Sequence, residues 1–283
     1  MKRLRIEHQT GFRYMGGEVT ASYNEARMLP VTCEGQFVLM AALDISPHTA
    51  VSTYVDYFGT QVSAFDVLTS HDDLTIVARS LVEVRARGRT EIDTTWEALR
   101  TDAQSAVDVV EMLQQTDRTR PHPEVAALAH EIAARHENPD HAALEIATTV
   151  GEAMEYVFGV TTVQTTAAEA WTARTGVCQD ITHVALGALR AAGIPARYVS
   201  GYLHPQVDPV IGETVAGESH AWVEWFAGGT WQAFDATNGI DIGDRHVLVA
   251  RGRDYEDVPP LRGVYSGSPK SELHVTVTIT REA

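Results

Sequence analysis

Cysteine is nearly absent from this chain: Cys33 and Cys178 are the only two in 283 residues. Two thiols this far apart do not make a disulfide framework, and a bridge between them would silence either one as a nucleophile. The pattern points to a reducing compartment, the cytoplasm. Basic residues are also short, 22 against 38 acidic ones, for a net charge of −16. No Lys/Arg-rich run occurs, which argues against nucleic acid or an anionic membrane surface as a partner. No apolar run approaches the roughly 20 residues that span a bilayer. Met1-Lys2-Arg3 leads into the alternating Leu4-Arg5-Ile6-Glu7-His8 instead of an apolar stretch, so no signal peptide is expected. Repeats and low-complexity tracts are missing too. A globular chain remains, 44% hydrophobic, with the length for a large core and about two domains.

From Leu4 to about Arg87 the residues read as strands. Ile6 to His8, Phe12 to Tyr14, Phe37 to Met40, Leu43 to Ile45, Val51 to Asp56, Val62 to Leu68 and Leu74 to Val84 are alternating, β-branched or aromatic, with turn chemistry between them. This predicts a β-sandwich-like N-terminal domain without a catalytic grouping. The pattern loosens between Thr95 and Thr119, and Arg118 to Pro123 marks a boundary, giving domains 1–117 and 118–283, the second including the C-terminal strand. One helix is expected from Val125 to His136, ended by Asn138-Pro139, and another from about Asp140 to Phe158. The clearest helix carries the stripe Ile181, Val184, Ala185, Ala188, Leu189 and Ala192, stops at Gly193 and puts Cys178 in its first turn. Strands are predicted at Ile194 to Leu203, Ser219 to Phe226 and Thr230 to Ala236, the last two joined through Gly228-Gly229. The fold class is therefore α+β, with helices packed on an antiparallel sheet.

The first turn of a helix offers unpaired N–H groups and a positive dipole end, which favour a thiolate and can donate to an oxyanion. Across a tight turn at Gly228-Gly229, Ala227 pairs with Thr230 and Trp222 with Asp235. His220 and Asp235 then share one face as diagonal neighbours, with Cα atoms roughly 7–8 Å apart. Cys178, His220 and Asp235 thus supply a nucleophile, a base and a group to orient the base. Asp180 reads as a complement to the helix N-terminus. His183 lies about a turn and a half beyond Cys178 and reads as structural or surface. Cys178, His183 and His220 have no close pair at metal-ligand spacing, so neither metal nor cofactor is expected. Trp171, Gln164 and Tyr202 are candidates for a second oxyanion donor or a cleft wall, with core packing an equal explanation for each. Cys33 reads as a small core residue, and Trp222, Trp225 and Trp231 as core aromatics.

Several ordered motifs carry a family resemblance. They are Thr165-Thr166-Ala167, Gly176-Val177-Cys178-Gln179-Asp180-Ile181-Thr182-His183, Gly193-Ile194-Pro195-Ala196-Arg197-Tyr198-Val199-Ser200-Gly201-Tyr202, His220-Ala221-Trp222-Val223-Glu224 and Phe234-Asp235-Ala236-Thr237-Asn238. Gly252-Arg253-Asp254-Tyr255, Val258-Pro259-Pro260 and Arg262-Gly263-Val264 continue it. With these motifs the chain resembles the transglutaminase-like superfamily, in particular its bacterial cysteine protease-like group, whose N-terminal β-rich region the first domain also resembles. The resemblance implies a papain-like core with a Cys-His-Asp triad at Cys178, His220 and Asp235. The resemblance leaves the second half-reaction open; the expected activity is thiol-dependent hydrolysis of peptide or isopeptide-type amides in a peptide or protein substrate, which needs no specialised acceptor site. Transfer to an amine acceptor is the alternative enzyme reading, and a non-catalytic peptide-binding scaffold the alternative outside enzymology. Ile181-Thr182 departs from the family's commoner aromatic-small pair, outside the triad. The residues carry no signal of oligomeric state.

Overall fold

A computed structural model describes residues 1–86, 88–267 and 270–283. Six strands lead: β1 Lys2–Met15, β2 Ala21–Ala26, β3 Gln36–Ser46, β4 Val51–Val55, β5 Gln61–Val67 and β6 Asp73–Val84. Then come helices α1 Trp96–Ser105, α2 Val107–Val110, α3 Pro123–Arg135 and α4 Pro139–Glu152, a short strand β7 Glu155–Tyr156, α5 Ala167–Ala173, β8 Thr175–Gly176 and α6 Cys178–Ala191. The rest is β9 Ala196–Leu203, β10 Thr214–Ala227, β11 Thr230–Asp235, β12 Ile240–Asp241, β13 His246–Gly252, β14 Leu261–Ser266 and β15 Lys270–Arg281. No described helix is long and apolar enough to cross a membrane.

Two sheets dominate. The larger runs β12-β11-β10-β15-β1-β6-β3, with β9 joining β10 to β13; the smaller runs β14-β2-β5-β4. Strand alternation explains their packing: Leu74, Ile76, Ala78, Ser80, Val82 and Val84 of β6 all point inward. Tyr14, Phe65, Val67, Leu74 and Ile76 fill the space between the sheets, as in a sandwich. The sheets do not follow chain order. β15 pairs with β1 from Leu4↔Arg281 to Met15↔Lys270, and β14 pairs with β2, so the last strands lie among the first. Conversely, Leu4, Ile6, Val82, Val84 and Ile92 share one core with the helices.

The helices surround α6. Leu186, Leu189, Val184 and Ile181 are fully buried, each contributing about 1.5–3 kcal/mol. Small residues let neighbouring backbones approach: a β-carbon at Gly187 would run into the Thr119 carbonyl, and one at Gly151 of α4 into the Ala236 carbonyl. α4 ends at Glu152 instead of reaching Phe158, because Glu155 and Tyr156 leave it to pair in parallel with Thr175 and Gly176. Phe158 is 83% exposed beyond it. The loosely patterned stretch after Thr95 contains helix, with the Thr95 hydroxyl accepting from the Ala98 N–H at 3.2 Å as the cap of α1.

Candidate active site

The hairpin β10–β11 has the expected register, Ala227↔Thr230 through Val223↔Phe234. It brings the His220 Nε2 to 2.7 Å from the Asp235 Oδ2. Asp235 is 0% exposed, and a bare carboxylate there would be costly. It is met by N–H groups instead. Because β11 ends at Asp235 and the chain turns back, the backbone N–H groups of Thr237 and Asn238 both donate to Oδ1 at 3.1 Å. The Asn238 Nδ2 donates to Oδ2 at 2.8 Å, and the His246 Nε2 lies 3.2 Å from the same oxygen. Burial would raise this carboxyl, but these bonds, led by His220 and His246, hold it well below the usual carboxylate range. Burial likewise pulls the His220 ring down. Asp235 and the Cys178 sulfur, both within hydrogen-bonding reach of the ring, outweigh it and raise the pKa to about 10.

Cys178 is the first residue of α6 and half-buried. Its own N–H and that of Gln179 open the helix, where no intrahelical acceptor exists. Asp180 stabilises this corner: its Oδ2 accepts from the Val177 N–H at 2.8 Å and from the Thr161 hydroxyl at 2.7 Å. A β-carbon at Gly176 would strike the Asp180 side chain, so the tight turn into Cys178 needs glycine there. Since the Asp235 side of the His220 ring is Nε2, Nδ1 is the nitrogen left for the sulfur.

A cleft of about 450 Å³ opens beside His220, lined by Tyr156, Leu203, Glu218, Thr237, Asn238 and Arg245 among others. The Tyr156 hydroxyl donates to the Glu218 Oε2 at 3.2 Å. Burial first, then the Cys178 and Glu218 charges, push its pKa up to about 12, so it stays a donor. Pairing of Tyr156 with Gly176 fixes it alongside the nucleophile's segment.

Other residues singled out in the sequence lie elsewhere. His183 is fully buried and not at the surface: its Nε2 accepts the Tyr255 N–H at 3.1 Å, and burial, reinforced by Arg118 and Arg190, drives its pKa to about 3. The Trp171 Nε1 donates to Glu124 at 3.1 Å, Gln164 accepts from Arg118 at 2.9 Å, and the Tyr202 hydroxyl donates to the Met28 carbonyl at 3.0 Å. None of the three lines the cleft. Trp222 and Trp225 are core, whereas Trp231 is half-buried beneath the Arg197 guanidinium, 3.8 Å from the ring centroid. Cys33 is also half-buried instead of core, in an isolated bridge with Gln36 at the start of β3.

His246, Asn238 and Tyr156 join the site without having been picked from the sequence. Asn238 was within reach, since it closes the Phe234-to-Asn238 motif. Ligand-type atoms of His220, Asp235 and His246 lie within 4.8 Å of one another. A tetrahedral ion about 2 Å from each would hold such atoms about 3.3 Å apart. The 2.7 Å contact between His220 and Asp235 is that of a hydrogen bond.

A cysteine thus opens a buried helix beside a histidine–aspartate pair on an antiparallel hairpin. Residues 126–236 match the transglutaminase-like superfamily core, and residues 4–83 match the bacterial transglutaminase-like N-terminal region. An uncharacterised Mycobacterium leprae protein is 41% identical over 284 residues, covering 100% of both chains. One from Mycobacterium tuberculosis is 33% identical over 297 residues, covering 98% of this chain and 92% of its own. The crystal structure of a Cytophaga hutchinsonii protein described as a putative cysteine protease superposes with a TM-score of 0.76 at 22% identity, over 98% of this chain and 90% of that one, a likeness of fold. The chain belongs to the transglutaminase-like superfamily.

Proposed function

We propose that this protein is a thiol-dependent hydrolase of peptide or isopeptide-type amide bonds, acting through Cys178, His220 and Asp235. The observation that carries the reading is a buried His220 bonded at 2.7 Å to a fully buried carboxylate, with Cys178 as its other partner. A charged ring in that position is ready to act as the acid for a leaving amine. The Cys178 thiolate attacks the amide carbon, and the carbonyl electron pair moves to oxygen, towards the N–H groups that open α6. His220 gives its proton to the nitrogen, the C–N bond breaks, and a thioester remains. The neutral ring then takes a proton from water as the water attacks the thioester. The C–S bond breaks, releasing the acid and restoring the thiolate and imidazolium. Asp235 keeps the ring oriented and balances its charge throughout. Tyr156, its hydroxyl donating to Glu218, forms part of the cleft wall.

Glu218 favours a second reading, transfer to an amine, since its carboxylate lines the same cleft and would draw in a cation. Hydrolysis is preferred because that attraction selects the ammonium form, which is not a nucleophile. A binding-only scaffold leaves the buried charge on His220 unexplained. The scarcity of cysteine, two residues in 283 with no disulfide between them, supports a cytoplasmic setting.

The test is a library of amides and peptides incubated with the full chain, with a Cys178→Ala control and with a labelled primary amine. Free acid that disappears in the control supports hydrolysis, whereas amine adducts dominating at millimolar amine support transfer. Brief iodoacetamide treatment should label Cys178 ahead of Cys33. Turnover that survives Cys178→Ala would overturn the reading.

A further inference from the structure

We propose that His246 is a positioning residue, a neutral donor that keeps Asp235 ionised and aimed at His220, and so governs Cys178 through two intervening groups. The proposal rests on the assignment of Cys178, His220 and Asp235 above. His246 opens β13, opposite Leu203 of β9, and is 3% exposed. Both ring nitrogens are accounted for. Nδ1 accepts the Gly243 N–H at 3.2 Å, so it carries no proton in this arrangement. A neutral imidazole then has its one proton on Nε2, and Nε2 is the atom 3.2 Å from the Asp235 Oδ2. The ring can only donate to Asp235.

Neutrality matters as much as direction. Oδ2 is shared by the His220 and His246 Nε2 atoms and by the Asn238 amide. A second imidazolium at His246 would compete with His220 for the same oxygen and repel it. Burial first, then the charges of His220 and Arg245, oppose that second proton against the pull of Asp235, and the pKa of His246 lies below its ordinary value. The Trp222 ring, 5.5 Å away and nearly perpendicular, holds the imidazole in place. Behind it lies a cavity of about 480 Å³ whose charged and titratable lining is Cys33, Glu34, Arg85, Arg89 and Glu224. His246 therefore stands between that cavity and the carboxylate, and its Nε2 gives Asp235 a donor.

Histidine-ring ¹H–¹⁵N spectra of the full chain, between about pH 6 and pH 11, read this without any substrate. His246 should show the Nε2–H tautomer at neutrality. In His246→Ala the carboxylate loses a donor and pulls harder on His220, so the His220 titration midpoint should rise by about one unit, a tenfold change in its protonation equilibrium, and the alkaline limb of Cys178 alkylation by iodoacetamide should move with it. His246→Gln, whose amide nitrogen reaches the former Nε2 position and still donates, should keep both near the wild type. An Nδ1–H tautomer at His246, or an unchanged His220 midpoint in His246→Ala, would overturn the proposal. If the alanine variant fails to fold, the wild-type tautomer and the glutamine variant decide, and a midpoint lost in His246→Gln counts against it. Cys178 alkylating no faster than Cys33, with the ring spectra as expected, would sink the catalytic reading and leave the role of His246 at Asp235 standing.

Discussion

His183 in α6 and His220 on the facing hairpin are buried almost alike, 0% and 9% exposed, and burial pulls both pKa values down. One ends at about 3 and the other at about 10. The difference is company. His183 meets a backbone N–H and the Tyr198 ring, with Arg118 and Arg190 adding repulsion. His220 meets a desolvated carboxylate and a sulfur. The histidine near the nucleophile in sequence is thus an inert acceptor, and the one brought in by hairpin register carries the charge. In a low-dielectric setting a partner one hydrogen bond away decides the sign of a shift, and burial then strengthens whatever that partner does.

The harshest way to erase the contrast is Asp235→Asn. It leaves the shape and removes the charge, so His220 should titrate below its usual value, as His183 does. Turnover of any amide substrate should fall by about 10³–10⁴-fold, and Cys178 alkylation at pH 7 by about thirtyfold, the limit set by the thiolate fraction of an ordinary thiol. Ring spectra and alkylation rates check this. A fall below tenfold would mean that the carboxylate only fills space.

The two rings should also limit stability from opposite sides. The folded pKa of His220 is raised from 6.5 to about 10, so its contribution is full below pH 6.5 and is lost as pH rises through about 10. That alkaline limb is on the order of 5 kcal/mol. The pKa of His183 is lowered from 6.5 to about 3, so its share is present above pH 6.5 and is lost as pH falls towards 3. Urea midpoints across this range should form a dome, and His220→Gln should flatten only its alkaline side. A smaller effect is expected of His183→Leu. The Tyr255 N–H loses its acceptor, which costs about 1–3 kcal/mol. Urea unfolding at pH 7 should show the loss, while Cys178 alkylation stays at the wild-type rate.

Much of this contrast is visible in the residues themselves. The stripe from Ile181 to Ala192 fixes which end of α6 carries Cys178, and Gly228-Gly229 sets the register that joins His220 to Asp235, because both are local rules of period and turn. His246 stayed hidden. In Asp244-Arg245-His246-Val247-Leu248 it opens an ordinary strand, and its role comes from a turn at Gly243 and a sheet partner, β9, far back in the chain. α1 was missed because it buries only Leu99 and Ala103, too few to show a helical period. The pairing of β1 with β15 leaves no mark in either strand, since alternation states which face is buried and not who the neighbour is.

That pairing has a consequence for the order of events during synthesis. β1 is made well before β15, which closes one of its edges. Translation at about 5–20 residues per second separates the completion of β6 from that of β15 by on the order of 10–40 s. Through that interval β1 can pair with β6 but presents an open edge, a template for another nascent chain. β15 also joins β10 at Val215↔Ile279, so the same late strand ties the strand bearing His220 to the N-terminal sheet. The protein's risk of misassembly is therefore greatest on the ribosome, and it ends when residues 270–281 dock.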